Sequence, residues 1–547
     1  MSQDMSHFSK TILEQKYSQI KKNGEKETWK DIAKRVSRNV LKAVDADIKL
    51  IKEVEEIIYQ RKFIPGGRYL YASGKAYHQT QNCLLLKAED SREGWASLLQ
   101  NAAMALMSGA GIGVDYSFIR PEGKPIRKTG GVATGPLALM QMLNECGRGI
   151  MQGGSRRSAI WAGLNWNHAD IHKFITMKNW SPEVRALKEK DFNFPATMDG
   201  TNISVVLDDL FFEAFNNDKH PLHSQAHSVY WATMKQMLKT AEPGFSIDTG
   251  VNKGETLRNA CTEITSSDDS DICNLGSINL SRITDLAEMA RVMELSTAFL
   301  LAGTVYSDVP YAKVDQIRTK NRRLGLGLMG IHEWLLVRGK QYGPDAELEE
   351  YLKIYAKSTE VAHKLADEWQ LSRPVKTRAI APTGSIGIIG ETTTGIEPIF
   401  CVAYKRRYLK HTTWNYQYVI DPTAKKLIEK GVNPDNIEDA YVLAENVERR
   451  VIFQAWVQQY VDHAISSTIN LPSWGSELNN QDKVVQFGNM LIKHLPKLRG
   501  LTVYPDGARG GQPLTPVKYN VAARHTGEVF VENTNVCDIT KGGSCGD

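Results

Sequence analysis

The segment Asn259-Ala260-Cys261-Thr262-Glu263-Ile264 sets a carboxamide, a thiol and a carboxylate at alternate positions. In an extended loop, residues two apart leave the same face of the chain, so the three side chains are expected to meet one small substrate. Another cysteine follows in Ile272-Cys273-Asn274-Leu275-Gly276-Ser277, and Cys83 stands far upstream after Gln81-Asn82. Singly, such thiols read as small buried hydrophobes, the ordinary state of a cysteine outside a disulfide. Only in combination do they point to chemistry.

The elements that must position these residues alternate between strand and helix. Leu84–Leu86, Ile112–Ile119, Ser158–Leu164 and Leu501–Tyr504 read as strands, with Arg378–Ile389 as strand and loop. Ser91–Met107, Leu137–Met151, Leu280–Leu301 and Glu445–Ser467 carry helical apolar spacing. Such alternation predicts an α/β fold with mainly parallel strands. Ahead of it, Lys10–Lys21, Thr28–Val44 and Ala46–Gln60 read as helices. The expected organisation is a helical region over 1–80, a catalytic domain over 81–525 and a polar, glycine-rich tail over 526–547.

The 547 residues are 42% hydrophobic and 24% charged, the balance of a globular protein with a large core. The net charge of +5 carries no long basic block, so no nucleic-acid partner is expected. No signal-peptide core and no membrane-length apolar run are visible. Seven cysteines without a CxxC pair make neither a disulfide scaffold nor a structural zinc site. A reducing, cytoplasmic setting is expected, with no membrane and no resident metal ligand set.

The words N-x-C-x-E and C-N-L-G-S-I-N-L together resemble the large chain of the ribonucleotide reductases. Further stretches are similar to the same family in the same order. They are Gln81-Asn82-Cys83, Ala381-Pro382-Thr383-Gly384-Ser385-Ile386, Thr394-Gly395-Ile396-Glu397-Pro398 and Leu501-Thr502-Val503-Tyr504-Pro505-Asp506-Gly507. The resemblance runs from about Phe63 to the end. It implies a ten-stranded α/β barrel with a central finger loop, and reduction of ribonucleoside di- or triphosphates to 2′-deoxyribonucleotides.

Under that resemblance Cys261 becomes a thiyl radical at the fingertip and takes hydrogen from the ribose C3′. Glu263 removes the 3′-hydroxyl proton, with Asn259 hydrogen bonding in the same region. Cys83 and Cys273 protonate the departing 2′-hydroxyl and end as a disulfide. Replacing C–OH by C–H needs two electrons, which a dithiol supplies, and a carboxylate within hydrogen-bond reach can take the proton. Asn82, Thr383, Gly384 and Ser385 are the implied substrate-phosphate contacts, hydroxyls and backbone N–H groups suited to an anion. Cys537 and Cys545 occupy the place of the family's tail pair, which re-reduces the buried disulfide and is itself reduced by a thioredoxin-like protein.

The resemblance also implies a deoxynucleotide or ATP effector site at Asp90, Arg120, Ile126 and Arg127. The loop Gly153-Gly154-Ser155-Arg156-Arg157-Ser158 would connect effector to substrate, and the effector site would be completed in a homodimer. No ATP-cone module is seen ahead of the barrel. Three family classes differ in how the radical arises. The glycyl-radical motif and its four-cysteine zinc site are absent. Class I members pass the radical through two adjacent tyrosines from a metal-containing small subunit, whereas this chain has Val503-Tyr504, so the inner tyrosine is expected to be missing. The wording is most like class II, which uses adenosylcobalamin; a class I large subunit is the alternative.

A remoter alternative is a nucleotide-binding dehydrogenase, since Gly325-Leu326-Gly327-Leu328-Met329-Gly330 is a literal GxGxxG. The preceding Lys320-Asn321-Arg322-Arg323-Leu324 does not read as the buried parallel strand that fingerprint requires. A relative that binds nucleotides without catalysis is disfavoured by the presence of all five core residues. His168 and His172 read as a helix start, and His220, His223 and His227 as a polar loop.

Overall fold

The computed structural model describes residues 5–127, 129–152, 156–191, 194–250, 253–410, 413–508, 514–525 and 528–530. Ten short strands form its centre: β1 Cys83–Lys87, β2 Gly111–Asp115, β3 Ile160–Asn165, β4 Thr201–Asp208, β5 Gly244–Asp248, β6 Asp271–Asn279, β7 Leu324–Met329, β8 at 378–380, β9 Thr468–Leu471 and β10 Gly500–Pro505. Strands β1 to β5 are parallel to one another in sequence order. β6 and β7 are parallel, as are β9 and β10. Single parallel bridges, Leu326 to Arg378 and Ile380 to Ile465, carry β7 through β8 to the residues just ahead of β9. The Ala379 N–H donates to the Leu326 carbonyl at 3.1 Å, and Ser466 N–H to Ile380 at 2.8 Å.

The two halves meet antiparallel at both seams, β1 against β6 and β5 against β10. The hydrogen-bonded circuit therefore returns to its start, and the sheet is a closed α/β barrel of ten strands. Closure removes sheet edges. Outward residues such as Leu84, Ile112, Ile160, Val205, Phe245 and Val503 pack with the surrounding helices in one large core. Inward positions at β2, Gly111 and Gly113, are small, which leaves room for the loop threaded through the centre.

The early helices form at His7–Lys16, Trp29–Leu41 and Ile48–Tyr59. Trp29–Leu41 starts with a capping box, Thr28 and Asp31 satisfying each other's backbone N–H groups. The first helix is shorter than its apolar spacing predicts, ending at Lys16 rather than Lys21. Residues Leu13, Tyr17, Ile32, Val36 and Ile58 share a core with Phe299, Leu326 and Ile386, so these helices pack directly on the second half of the barrel.

The GxGxxG stretch is not a dinucleotide-binding turn, in keeping with its sequence context: Gly325 and Gly327 lie inside β7. A Cβ there would meet Leu275 Cδ2 at 2.5 Å and the Ala379 carbonyl at 2.8 Å, so close strand packing explains them. His223 and His227 are not in a polar loop but open the helix His223–Thr240, with His227 stacked on Phe215. A four-stranded sheet beside the barrel, built on the hairpin Ala403–Lys410 and Thr413–Ile420, has no counterpart in the predicted elements.

Candidate active site

The connection from β5 to β6 runs back through the barrel as a finger. Its stem is a two-residue hairpin, Leu257–Arg258 against Thr265–Ser266. Its tip holds Asn259 to Ile264. The prediction of an extended tip is not met. Thr262 is left-handed, φ 69°, and its N–H donates to the Asn259 carbonyl at 3.0 Å. A tight turn, rather than a pleat, therefore brings Cys261 and Glu263 to one cavity. Left-handed backbone is unusual for a β-branched residue and costs of order 1 kcal/mol or more. The Asn259 side-chain oxygen holds the turn by accepting from the Ile264 N–H at 3.0 Å.

The finger lies so close to β2 that a Cβ on Gly113 would sit 1.9 Å from the Arg258 carbonyl oxygen. Only glycine fits there. On the opposite side the Ala464 N–H donates to the Glu263 carbonyl at 2.8 Å, and Thr265 N–H to His463 Nδ1 at 3.1 Å. Below the tip, Glu255 pairs with Lys376 and with Arg323 at 3.0 Å, and Arg323 continues to Asp271. Burial draws the Lys376 ammonium down to about 8 despite that pairing. Breaking one partner of such a buried network would strand a charge, which fixes the finger's register.

Around the tip is a cavity of about 350 Å³. Asn82, Cys83, Asn259, Cys261, Glu263, Thr383, Gly384 and Ser385 all line it. Cys273 lies directly behind, its Cα in register with that of Cys83 across the antiparallel seam. Directly opposed residues in such a pair hold their Cβ atoms about 4.5–5.5 Å apart, close enough for a disulfide after a small adjustment. Both thiols are buried, and burial pushes each well above the ordinary thiol range. They are protonated donors at neutral pH. Cys261 is partly exposed to the cavity.

Glu263 is fully buried, and desolvation raises its carboxyl to about 7, partly offset by its own backbone N–H and by Asn259. The Cys83 thiol donates to Oε1 at 4.0 Å, while Oε2 has no protein partner. A buried carboxylate oxygen without a donor is costly unless a ligand supplies one. Thr383 is left-handed, φ 50°, and its hydroxyl oxygen accepts from Gly395 N–H at 2.9 Å, which leaves the hydroxyl proton to the cavity.

A second cavity, about 710 Å³, lies on the outer surface. Asp90, Arg120, Ile126 and Arg127 line it, with Arg120 Nε 2.8 Å from Asp90 Oδ2. Arg156 and Arg157 pair antiparallel with Met151–Gln152 as a small hairpin; Gly153, Gly154 and Ser155 lie outside the described residues, as do Cys537 and Cys545. Among the described residues no cluster of His, Cys, Asp or Glu could hold a metal ion, and no helix is long and apolar enough to cross a membrane.

One inference about radical delivery is corrected. Val503 packs outward with the helix layer, so it does not occupy an inner position; Tyr504, next along β10, is on the barrel's inner face. The missing member of a two-tyrosine relay is thus the outer one, and the relay is still broken. The sequence reading also missed Tyr17, Gln152 and Ser277, which line the catalytic cavity. For Ser277 the signal was available, since it lies four residues beyond Cys273 on β6. For Tyr17 and Gln152 there was none.

A closed barrel thus brings a fingertip thiol and a buried carboxylate to one cavity, with an opposed dithiol at its wall, a set of groups suited to redox chemistry. Comparison places it more closely. The ribonucleotide reductase barrel domain matches residues 81–227, 221–374 and 372–495. A vitamin B12-dependent ribonucleoside-diphosphate reductase of Thermoplasma acidophilum is 28% identical over 529 residues, covering 85% of this chain and 66% of its own length. One of that name from Mycobacterium tuberculosis (strain CDC 1551 / Oshkosh) is 27% identical over 515 residues, covering 83% and 72%. A vitamin B12-dependent ribonucleotide reductase of Streptomyces avermitilis is 23% identical, covering 80% and 58%. The chain belongs to the ribonucleotide reductase family.

Proposed function

We propose that this chain reduces ribonucleotides to 2′-deoxyribonucleotides at the Cys261 cavity and depends on adenosylcobalamin to do so. The observation that carries the reading is the Cys83–Cys273 pair, held in register behind a cavity that also contains Cys261 and an unpartnered oxygen of Glu263. The cavity fits the cofactor's role. Cys261 alone of the three thiols is partly exposed, as a thiol oxidised from outside the fold must be. When bound, adenosylcobalamin would supply the one-electron chemistry that removes the hydrogen atom of Cys261, the thiol that the chain sets in the cavity for it.

The chain's own residues carry the reduction. The Cys261 thiyl takes hydrogen from C3′, and Glu263 accepts the 3′-hydroxyl proton through Oε2. The 2′-hydroxyl leaves as water with a proton from the Cys83–Cys273 dithiol, whose two electrons replace the C–O bond. Cys261 returns its hydrogen to C3′. The balance is one C–OH and two thiols to one C–H, one disulfide and one water. Asn259 holds Glu263 and the turn. Asn82, Thr383, Gly384 and Ser385 bind the phosphates.

Regeneration falls to Cys537 and Cys545 with a thioredoxin-like reductant. The outer cavity at Asp90, Arg120, Ile126 and Arg127 takes a deoxynucleotide or ATP. Helix Gly135–Arg148 begins at the apolar end of that site and leads into the hairpin whose Gln152 lines the catalytic cavity, a direct physical link between effector and substrate. Helices Arg92–Ser108 and Gly135–Arg148 both start at the effector cavity and expose Met104, Met107 and Met142 along their length, an apolar surface that supports a homodimer formed through these helices. Assays with the four ribonucleotides, with and without adenosylcobalamin and each effector, test the reading. Cofactor-dependent deoxynucleotide whose base preference changes with effector supports it; none under any combination refutes it.

A further inference from the structure

Among the described residues that line the catalytic cavity there is no lysine or arginine, and the one charged group there is the acid Glu263. A nucleoside polyphosphate entering it brings two or more negative charges. Thr383, Gly384 and Ser385 can donate hydrogen bonds to phosphate but carry no charge. Hydrogen bonds to a charged partner are strongest when the partner is itself ionised.

A cation reaches this loop from the opposite end of the sequence. Lys16 ends the helix His7–Lys16, and its Nζ lies 3.5 Å from Ser385 Oγ. The ordinary use of a last-turn lysine is to offset the helix dipole; here its ammonium also spans to a cavity-lining residue of another element. The next residue, Tyr17, is buried and lines the cavity itself, its hydroxyl 2.9 Å from where a Cβ on Gly67 would stand. The helix is fixed in this place. Ser9 Oγ donates to the Ile388 carbonyl at 2.8 Å, and Ser6 N–H to Glu391 Oε1 at 2.6 Å. Glu391 is in turn held by Arg61 at 3.0 Å, and Arg406 stacks 4.2 Å over the Phe8 ring. Leu13 and Tyr17 share a core with Ile386 and Ile389.

We infer that Lys16 binds the terminal phosphate of the substrate, a nucleoside di- or triphosphate, with Tyr17 as the wall beside it. The N-terminal helix is then part of the substrate site rather than an accessory to the barrel. This rests on the reading of the cavity as a ribonucleotide site. The phosphate loop supplies direction, and Lys16 supplies the charge.

The test compares Lys16→Met and Lys16→Arg with the unaltered full-length chain. Steady-state kinetics would use ribonucleoside diphosphates and triphosphates at saturating adenosylcobalamin and effector. Equilibrium dialysis of the same nucleotides without adenosylcobalamin gives Kd apart from turnover. Lys16→Met should raise KM and Kd about tenfold for the preferred polyphosphate, the loss of one partly exposed charge-assisted hydrogen bond. Saturated kcat should stay within about twofold, Lys16→Arg should recover most of the affinity, and added salt should weaken the unaltered chain more than Lys16→Met. Unchanged KM and Kd in Lys16→Met would overturn the inference, as would a fall in kcat with Kd unchanged. Nucleotide binding that depends on Lys16 in a chain that reduces no ribonucleotide would contradict the function and leave the phosphate contact standing.

Discussion

Cys83 and Cys273 face each other in register where the two halves of the barrel join, the first pair of the antiparallel seam between β1 and β6. Neither strand could hold a redox pair alone. The seam creates it, and the finger delivers Cys261 to the cavity in front of it. A chain with Cys537 and Cys545 both replaced by serine, incubated with substrate and adenosylcobalamin but no external reductant, should therefore yield about one deoxynucleotide per chain as the buried dithiol is consumed. Mass spectrometry should then find Cys83 linked to Cys273. Cys83→Ser or Cys273→Ser should remove this single turnover; product without that disulfide would place the reductant elsewhere.

The raised carboxyl of Glu263 sets a pH dependence. Its pKa in the fold is about 7, against an ordinary value of 4.5, because burial opposes the charge. Below about 7 the group is protonated and cannot act as a base, so kcat/KM should fall roughly tenfold per pH unit on the acid side and level off above it. Glu263→Gln should lower turnover by about 10²–10⁴-fold and abolish that acid limb. An unaltered limb in Glu263→Gln would assign it to another group.

Gly113 tests the finger without touching a reacting atom. Alanine there would place a Cβ 1.9 Å from the Arg258 carbonyl. Either the finger or β2 must move, at a cost of about 1–3 kcal/mol by the usual measure of overpacking. Gly113→Ala should lose most of its turnover while binding effector normally, since the Asp90–Arg120 cavity lies outside the barrel. Full activity in a folded Gly113→Ala would show that the finger is not held where the carbonyl stands.

Tyr504 lies on the barrel's inner face, yet Val503 interrupts any tyrosine pair. Tyr504→Phe should leave deoxynucleotide formation within a fewfold of the unaltered chain. A loss of several orders of magnitude would make Tyr504 a redox carrier and reopen delivery from a second subunit.

Much of this site is legible along the chain because its chemistry is local in sequence. Asn259, Cys261, Glu263 and Cys273 lie within one loop and the strand it enters; the cavity unites the first three with Cys83 and the 382–385 loop, and the seam sets Cys273 against Cys83. The geometry of the tip was not legible. An extended reading and the observed turn at Thr262 both gather the same side chains, and only the backbone distinguishes them. Strand β8 was legible within Arg378–Ile389, although it pairs only by single bridges. Lys16 and Tyr17 were invisible for a different reason: their partners at Ser385 and Ile386 are separated from them by most of the chain, and helical spacing says nothing about what a helix end will reach. The hairpin Ala403–Lys410 and Thr413–Ile420 mixes lysines and arginines with aromatics, which blurs the alternation by which strands are recognised.

The account rests on Cys261 as the residue that starts the reaction without a metal-loaded second subunit. The most direct measurement is ribonucleotide reduction by the purified chain under anaerobic conditions, with iron and manganese chelated, a dithiol and effector present, and adenosylcobalamin added or withheld. The account predicts deoxynucleotide only when the cofactor is added, and none from Cys261→Ser, which folds and binds nucleotide but cannot form the equivalent oxygen radical. Activity that needs an added metal-containing subunit, or that survives in Cys261→Ser, would contradict it.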